Sequence, residues 1–172
     1  RHAAGGGELF GPEAGLGEAS GYAIAYTGMA ASLAWRFAAA GGVVWRVAEV
    51  IATLVGLGGI VYGVTLLDQA PANGWPVLNL LLPAFALPAL FLAAQSAAQN
   101  RQGQAGRATF TSLAAMATAF VWVTAEARRS VRGPDMGAGP ASDTEMWAYS
   151  VAWIGLATGL LIWGVLRRRA SV

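Results

Sequence analysis

The sequence predicts an all-α fold, a multi-pass transmembrane helical bundle of five spans. Hydrophobic residues make up 56% of the 172 positions and charged residues 12%. An ordinary soluble domain runs roughly 45–50% apolar and about 25% charged. So little charge cannot cover the surface of a soluble domain of this size, and so much apolar residue does not suit a disordered chain. Five apolar stretches of 18–25 residues recur along the chain with no charge near their middles. A helix needs about 17–25 apolar residues to cross the hydrocarbon core. Transmembrane strands would be about 10 residues long and alternate with period two.

The expected spans are 18–37, 43–67, 77–98, 108–125 and 145–166, one domain preceded by a Gly-rich stretch over 1–17. A small-residue joint at 39–42 separates the first two. Between the second and third lies 68–76, with Pro71, Asn73-Gly74 and Pro76 as turn signals. The third span carries Pro83 and Pro88, each of which removes a backbone donor, so a kinked helix is expected. A polar connector over 100–107 leads into the fourth span. A Gly/Pro loop over 128–144 then ends in Ser142-Asp-Thr-Glu145, a capping-box spacing that starts the fifth.

All eleven cations are arginines, clustered between the apolar stretches. They read as membrane-edge anchors and not as a nucleic-acid surface, so the expected partner is the lipid bilayer. Counting by alternate connectors puts Arg36, Arg46, Arg101, Arg107, Arg167, Arg168 and Arg169 on one side with no loop acid. Arg1, Arg128, Arg129 and Arg132 share the other side with seven acids. By the positive-inside rule the first side is cytoplasmic. The C-terminus is then inside an inner membrane, with 1–17 and 127–144 outward.

The absence of cysteine removes disulfides, thiol nucleophiles and Cys-ligated metals, and the single histidine is His2. No metal, cofactor or catalytic triad is therefore expected. Gly56-x-Gly58-Gly59 is not a phosphate loop, since it lies inside an apolar span with no Lys after it. Arg1 stands where an initiator Met would, with no signal-peptide pattern following. The chain therefore reads as part of a longer protein, and its missing N-terminal part is a candidate partner along with other membrane proteins.

Sliding 1–33 onto 128–160 without a gap matches nine residues, among them Glu18/Glu145, Tyr22/Tyr149, Gly28/Gly155 and Leu33/Leu160. Four spans separate the copies, so the repeat is parallel. Glu, Tyr and a further aromatic (Tyr26 or Trp153) fall at i, i+4 and i+8, one helical face. Glu18, Tyr22, Glu145 and Tyr149 are the first ligand-binding candidates, at the outer interface. The plainer reading makes each Glu a helix-start residue and each Tyr part of the aromatic belt. Glu49, about one turn inside the second span, is a candidate for an ion path, or the partner of Arg46 at i−3. Glu126 and Arg129 repeat that spacing. Asn79 is an amide placed to bridge helices. Gly59 and Gly63, and Gly155 and Gly159, are four apart and expected to pack helices closely, with Gly28 and Ser32 in the corresponding places of the first copy.

The run Val121-Trp-Val-Thr-Ala-Glu-Ala-Arg-Arg129, and then Glu145-Met-Trp-Ala-Tyr-Ser-Val-Ala-Trp153, resembles the C-terminal region of large bacterial membrane proteins grouped as domain of unknown function 2339. Asn73-Gly-Trp-Pro-Val-Leu-Asn79, with the Leu-Pro-Ala at Pro88, is similar to the segment before it. The resemblance implies a long polytopic protein with no established activity and carries no catalytic residue over. Two functions stay open. One is transport or handling of a lipid or small envelope molecule along a groove faced by the Glu/Tyr pairs. The other is a scaffold whose small-residue faces pack other membrane subunits. A membrane enzyme acting on lipid-linked sugars is a weaker third.

Overall fold

A computed structural model describes residues 12–36, 42–68, 75, 77–134, 136–137 and 139–169. Most of the expected outer stretch 1–17 lies outside these, as do Arg1, Asn73 and Pro76. Five helices follow in order: α1 Pro12–Arg36, α2 Val43–Leu66, α3 Leu87–Arg101, α4 Ala105–Arg132 and α5 Asp143–Arg169. A five-residue π-helical turn, Leu82–Ala86, runs into α3. The described residues contain no extended sheet.

Among the described residues four stretches are long and apolar enough to cross a membrane: Val43–Leu66, Leu82–Arg101, Ala105–Arg132 and Asp143–Leu166. Helix α1 is long enough at 25 residues, but its Ala, Gly, Ser and Tyr content leaves it short on hydropathy. Those same small residues make it the helix against which α2, the π turn and α3 pack. Gly15 lies by Leu66 and Tyr62, Gly59 by Ala23, and Gly56 by Thr27, so α1 and α2 are antiparallel. Ser96 bonding to Ala108, and Arg132 to Glu145, make α3/α4 and α4/α5 antiparallel as well. The bundle thus has a short-turn end (36–43 and 101–105) and a long-loop end.

The protein is packed in the opposite sense from a soluble domain. Its buried residues are largely Ala, Thr, Gln and Glu, with Phe85, Leu16, Ile60, Leu81, Leu92 and Met136 as the large apolar exceptions. Val43, Val44, Val61, Leu90, Leu113, Ile154 and Leu161 face outward, each more than half exposed. Exposed apolar surface on this scale needs a nonaqueous surrounding. Small and polar residues are what membrane helices place between one another.

The third span differs in detail from its expected form. It begins at Leu81 and not at 77, because Val77 takes a left-handed φ of 68°. Asn79 starts the helix, its Oδ1 accepting from the Leu81 N–H at 2.7 Å. The two prolines give a wide turn and not a broken helix. Pro88 has no N–H, and the Leu87 N–H reaches back five residues to Leu82 O, the π register. Glycine is required at two turns: Gly103 (φ 72°) between α3 and α4, and Gly133 (φ 79°) just past α4.

Candidate functional site

Three features of the bundle bear on function, one at each end and one along its side. At the short-turn end Glu49 sits on the buried face of α2, 5% exposed and about 9 Å along the helix at 1.5 Å per residue. Thr53, one turn on, shares its face. Gln95 and Gln99 on α3 repeat that i, i+4 spacing and meet it. Gln95 Nε2 donates to Glu49 Oε1 at 2.9 Å and to Thr53 Oγ1 at 2.8 Å. Gln99 Nε2 donates to the same carboxylate oxygen at 2.7 Å, and Gln99 Oε1 accepts from Thr111 Oγ1 at 2.7 Å. The charge partner is Arg107 of α4, 2.9 Å from Glu49 Oε2. Arg46, the partner expected from spacing, is exposed and forms no ion pair with Glu49. Arg107 also donates to Gln104, which donates to Gln102, which in turn bonds the Ala34 carbonyl of α1 at 2.7 Å. One connected polar network thereby ties four helices and a turn together. Gln95 Oε1 is its one buried atom without a partner among the described residues.

At the long-loop end Glu145 is 1% exposed. Arg132 Nε donates to its Oε2 at 2.7 Å, Tyr149 donates to its Oε1, and Arg128 lies 3.6 Å away. The rest of the Arg132 guanidinium binds the carbonyls of Gly137, Gly139 and Pro140. Arg128 reaches Asp68 and the Gly137 carbonyl. The Glu145 N–H donates to Ser142 Oγ at 3.3 Å, half of the expected capping box, while its carboxylate serves Arg132. Tyr149 stacks on Trp153, whose Nε1 donates to Thr124. Asn79 bridges helices as expected, donating to Glu126.

Glu18 and Tyr22 share the local arrangement of the later pair. Tyr22 donates to Glu18 at 3.2 Å and stacks on Tyr26. Their surroundings do not match, since both are exposed. Helix α1 touches α2 and α3, whereas α5 touches chiefly α4. The two Glu/Tyr pairs do not meet, and none of the four lines the cavity described next.

That cavity is a groove of about 770 Å³ along α3, α4 and one side of α5. Its floor is mostly alanine (Ala89, Ala93, Ala97, Ala115, Ala119), with Leu82, Leu90, Met116 and Trp163 as walls. Small side chains on facing helices leave the volume open.

The glycine expectations divide. Gly28 packs on Phe91, Gly59 on Ala23 and Gly63 on Phe85. Gly155 and Gly159 have nothing within 4 Å, because α5 meets the bundle through another face. The Glu49 network was largely missed in the sequence. The available signal was the matched i, i+4 pairs Glu49/Thr53 and Gln95/Gln99 inside apolar spans. Among the described residues no cluster of His, Cys, Asp and Glu could hold a metal.

A family model described as "Predicted membrane protein (DUF2339)" matches residues 1–172. No curated protein and no solved structure matches the chain.

Proposed function

The chain belongs to this family of predicted membrane proteins, and from that premise we propose that it handles lipid by holding a lipid chain in the groove along α3, α4 and α5. The groove is the observation that carries the reading. Its volume falls inside the roughly 300–1,000 Å³ of small-molecule sites. It runs from Leu82 to Asn100, roughly 27 Å at 1.5 Å per residue. An apolar channel of that length along a membrane bundle matches an acyl chain in shape and chemistry, and opens where such chains are the solvent. The reading assigns binding and no chemical step. The Glu49 network fixes the α2–α3–α4 wall behind the groove, and Arg132 with Glu145 fixes the loop that joins α4 to α5.

Photoreactive lipid with a diazirine in its acyl chain tests this in native membranes. Labels mapped to residues 89–97 and 112–119, and diminished by Ala93→Trp, support the groove. Labels spread evenly over all outward faces, unaffected by Ala93→Trp, overturn it.

A scaffold role is the second reading, favoured by α5. Its Gly155 and Gly159 are open and no residue over 146–166 is buried. A helix of another subunit could pack closely there. The parallel repeat of 1–33 and 128–160 belongs with this reading, since it gives α5 the part that α1 plays against α2.

We also propose a bacterial inner membrane with the short-turn end in the cytoplasm, from the arginine distribution. The chain has no cysteine, so single cysteines report topology directly. Gly106 and Gly137 have open space around them. A membrane-impermeant maleimide should label Gly137→Cys and not Gly106→Cys in intact cells. The reverse pattern inverts the assignment.

A further inference from the structure

The two ends of the groove differ. Besides the indoles of Trp122 and Trp163, four polar side chains among the described residues line it, Ser96, Asn100, Thr109 and Ser112, and these four lie in its short-turn part. Toward the other end the Trp122 Nε1–H is a buried donor without a partner among the described residues. From Ala93 back to Leu82 the α3 wall is wholly apolar. Among the described residues no charged side chain lines the groove. The nearest cations are engaged elsewhere. Arg101 lies 4.6 Å over the Trp35 ring of α1, and Arg107 is bound to Glu49 and Gln104.

The hydrogen-bond inventory of this polar end is specific. Ser96 donates its hydroxyl hydrogen to Ala108 O at 2.8 Å, Thr109 to Ala105 O at 2.9 Å, and Ser112 to Thr109 O at 2.8 Å. Each hydroxyl has one hydrogen to give and two lone pairs to offer. The hydrogens are used, and the lone pairs remain. The exposed Asn100 amide has no partner among the described residues, so it offers two donors and an acceptor. A ligand group at this end therefore meets acceptors that need donors, plus one amide able to do both. An anion would face those lone pairs with no cation to balance it, and its desolvation would go uncompensated. A bare hydrocarbon would bury the free Asn100 amide against nothing.

Resting on the lipid-groove reading, we infer that the short-turn end of the groove binds the uncharged, hydroxylated head group of an amphiphile of the acylglycerol kind. The two hydroxyls of a monoacylglycerol donate to two of the Ser96, Thr109, Ser112 and Asn100 oxygens, and the Asn100 NH2 donates to a head-group oxygen. The chain runs along the alanine floor toward Leu82. The groove thereby selects among lipids by head group.

Competition photolabelling of the full protein in phosphatidylcholine nanodiscs tests this. The probe is a monoacylglycerol with a diazirine in its chain. Competitors are unlabelled monoacylglycerol, the lysophosphatidic acid with the same chain, and the corresponding alkane. Monoacylglycerol is expected to compete about tenfold better than either, the equivalent of one to two hydrogen bonds. Asn100→Leu with Ser112→Ala should lower monoacylglycerol labelling by a similar factor and leave labelling by a photoreactive alkane unchanged. That control also reports an intact groove. Lysophosphatidic acid competing equally, or a double variant that labels as the native chain does, overturns the head-group assignment while the groove stands. No groove labelling by either probe, or crosslinks that place a second protein chain there, overturns the groove itself and this inference with it.

Discussion

Glu49 and Glu145 are the two carboxylates that the fold cannot lose quietly. Replacing one partner of a buried, hydrogen-bonded charge pair costs about 3–5 kcal/mol, since the other partner is left uncompensated. Glu49→Ala strands the amides of Gln95 and Gln99 together with Arg107. Arg107 is 32% exposed and recovers some hydration, so the lower figure applies. Unfolding in detergent should show a loss of about 3 kcal/mol, and Glu49→Gln, which keeps an oxygen for the amides, a smaller one. Equal stability of Glu49→Ala and the native chain would mean the network is not formed. Arg132→Ala frees the carbonyls of Gly137, Gly139 and Pro140. Limited proteolysis within 133–142 should quicken, and an unchanged cleavage rate contradicts that anchor. Glu18→Gln should stay within about 0.5 kcal/mol, as surface substitutions do. In the sequence Glu18 and Glu145 stand in matching positions. What separates them is burial by other segments, Arg132 and the loop, which a local spacing cannot express.

At the scale of elements, the α1/α2 seam is set by glycine. A Cβ at Gly59 would lie 2.9 Å from the Ala23 backbone nitrogen, and one at Gly56 would lie 2.7 Å from Thr27 Cγ2. Gly59→Leu should separate the two helices and cost about 1–3 kcal/mol as overpacking does. Gly58→Leu, which faces open space, should cost far less. Comparable losses at both positions would contradict the seam. The spacing of Gly59 and Gly63 made this contact legible. The same spacing at Gly155 and Gly159 made no contact, because spacing marks a face without naming its neighbour. Gly155→Leu should leave the stability of the isolated chain unchanged. Loss of a co-purifying subunit on that substitution would favour the scaffold. The prolines of the third span illustrate a similar limit. Their missing N–H groups foretold an irregularity near 83–88, but whether it became a bend or a π turn depended on packing around buried Phe85.

Over the whole molecule, helix number and order were written in the lengths of the apolar runs and the turns between them. The expected boundaries of the second, fourth and fifth spans lie within or close to the observed helices. Composition also foretold a membrane setting, and the outward Val, Leu and Ile with inward Ala, Thr and Gln bear it out. The groove was not legible. It arises where alanines on α3 and α4 fall opposite each other with α5 held to one side, and that coincidence belongs to three helices at once. The repeated Glu/Tyr pairs do not line this groove. The most direct measurement is a cryo-electron microscopy map of the whole natural protein in nanodiscs of its own lipids. Elongated density between α3, α4 and α5, starting beside Asn100 and running toward Leu82, is expected. Helices α3 and α5 closed against each other, or a protein helix lying in that space, would contradict it.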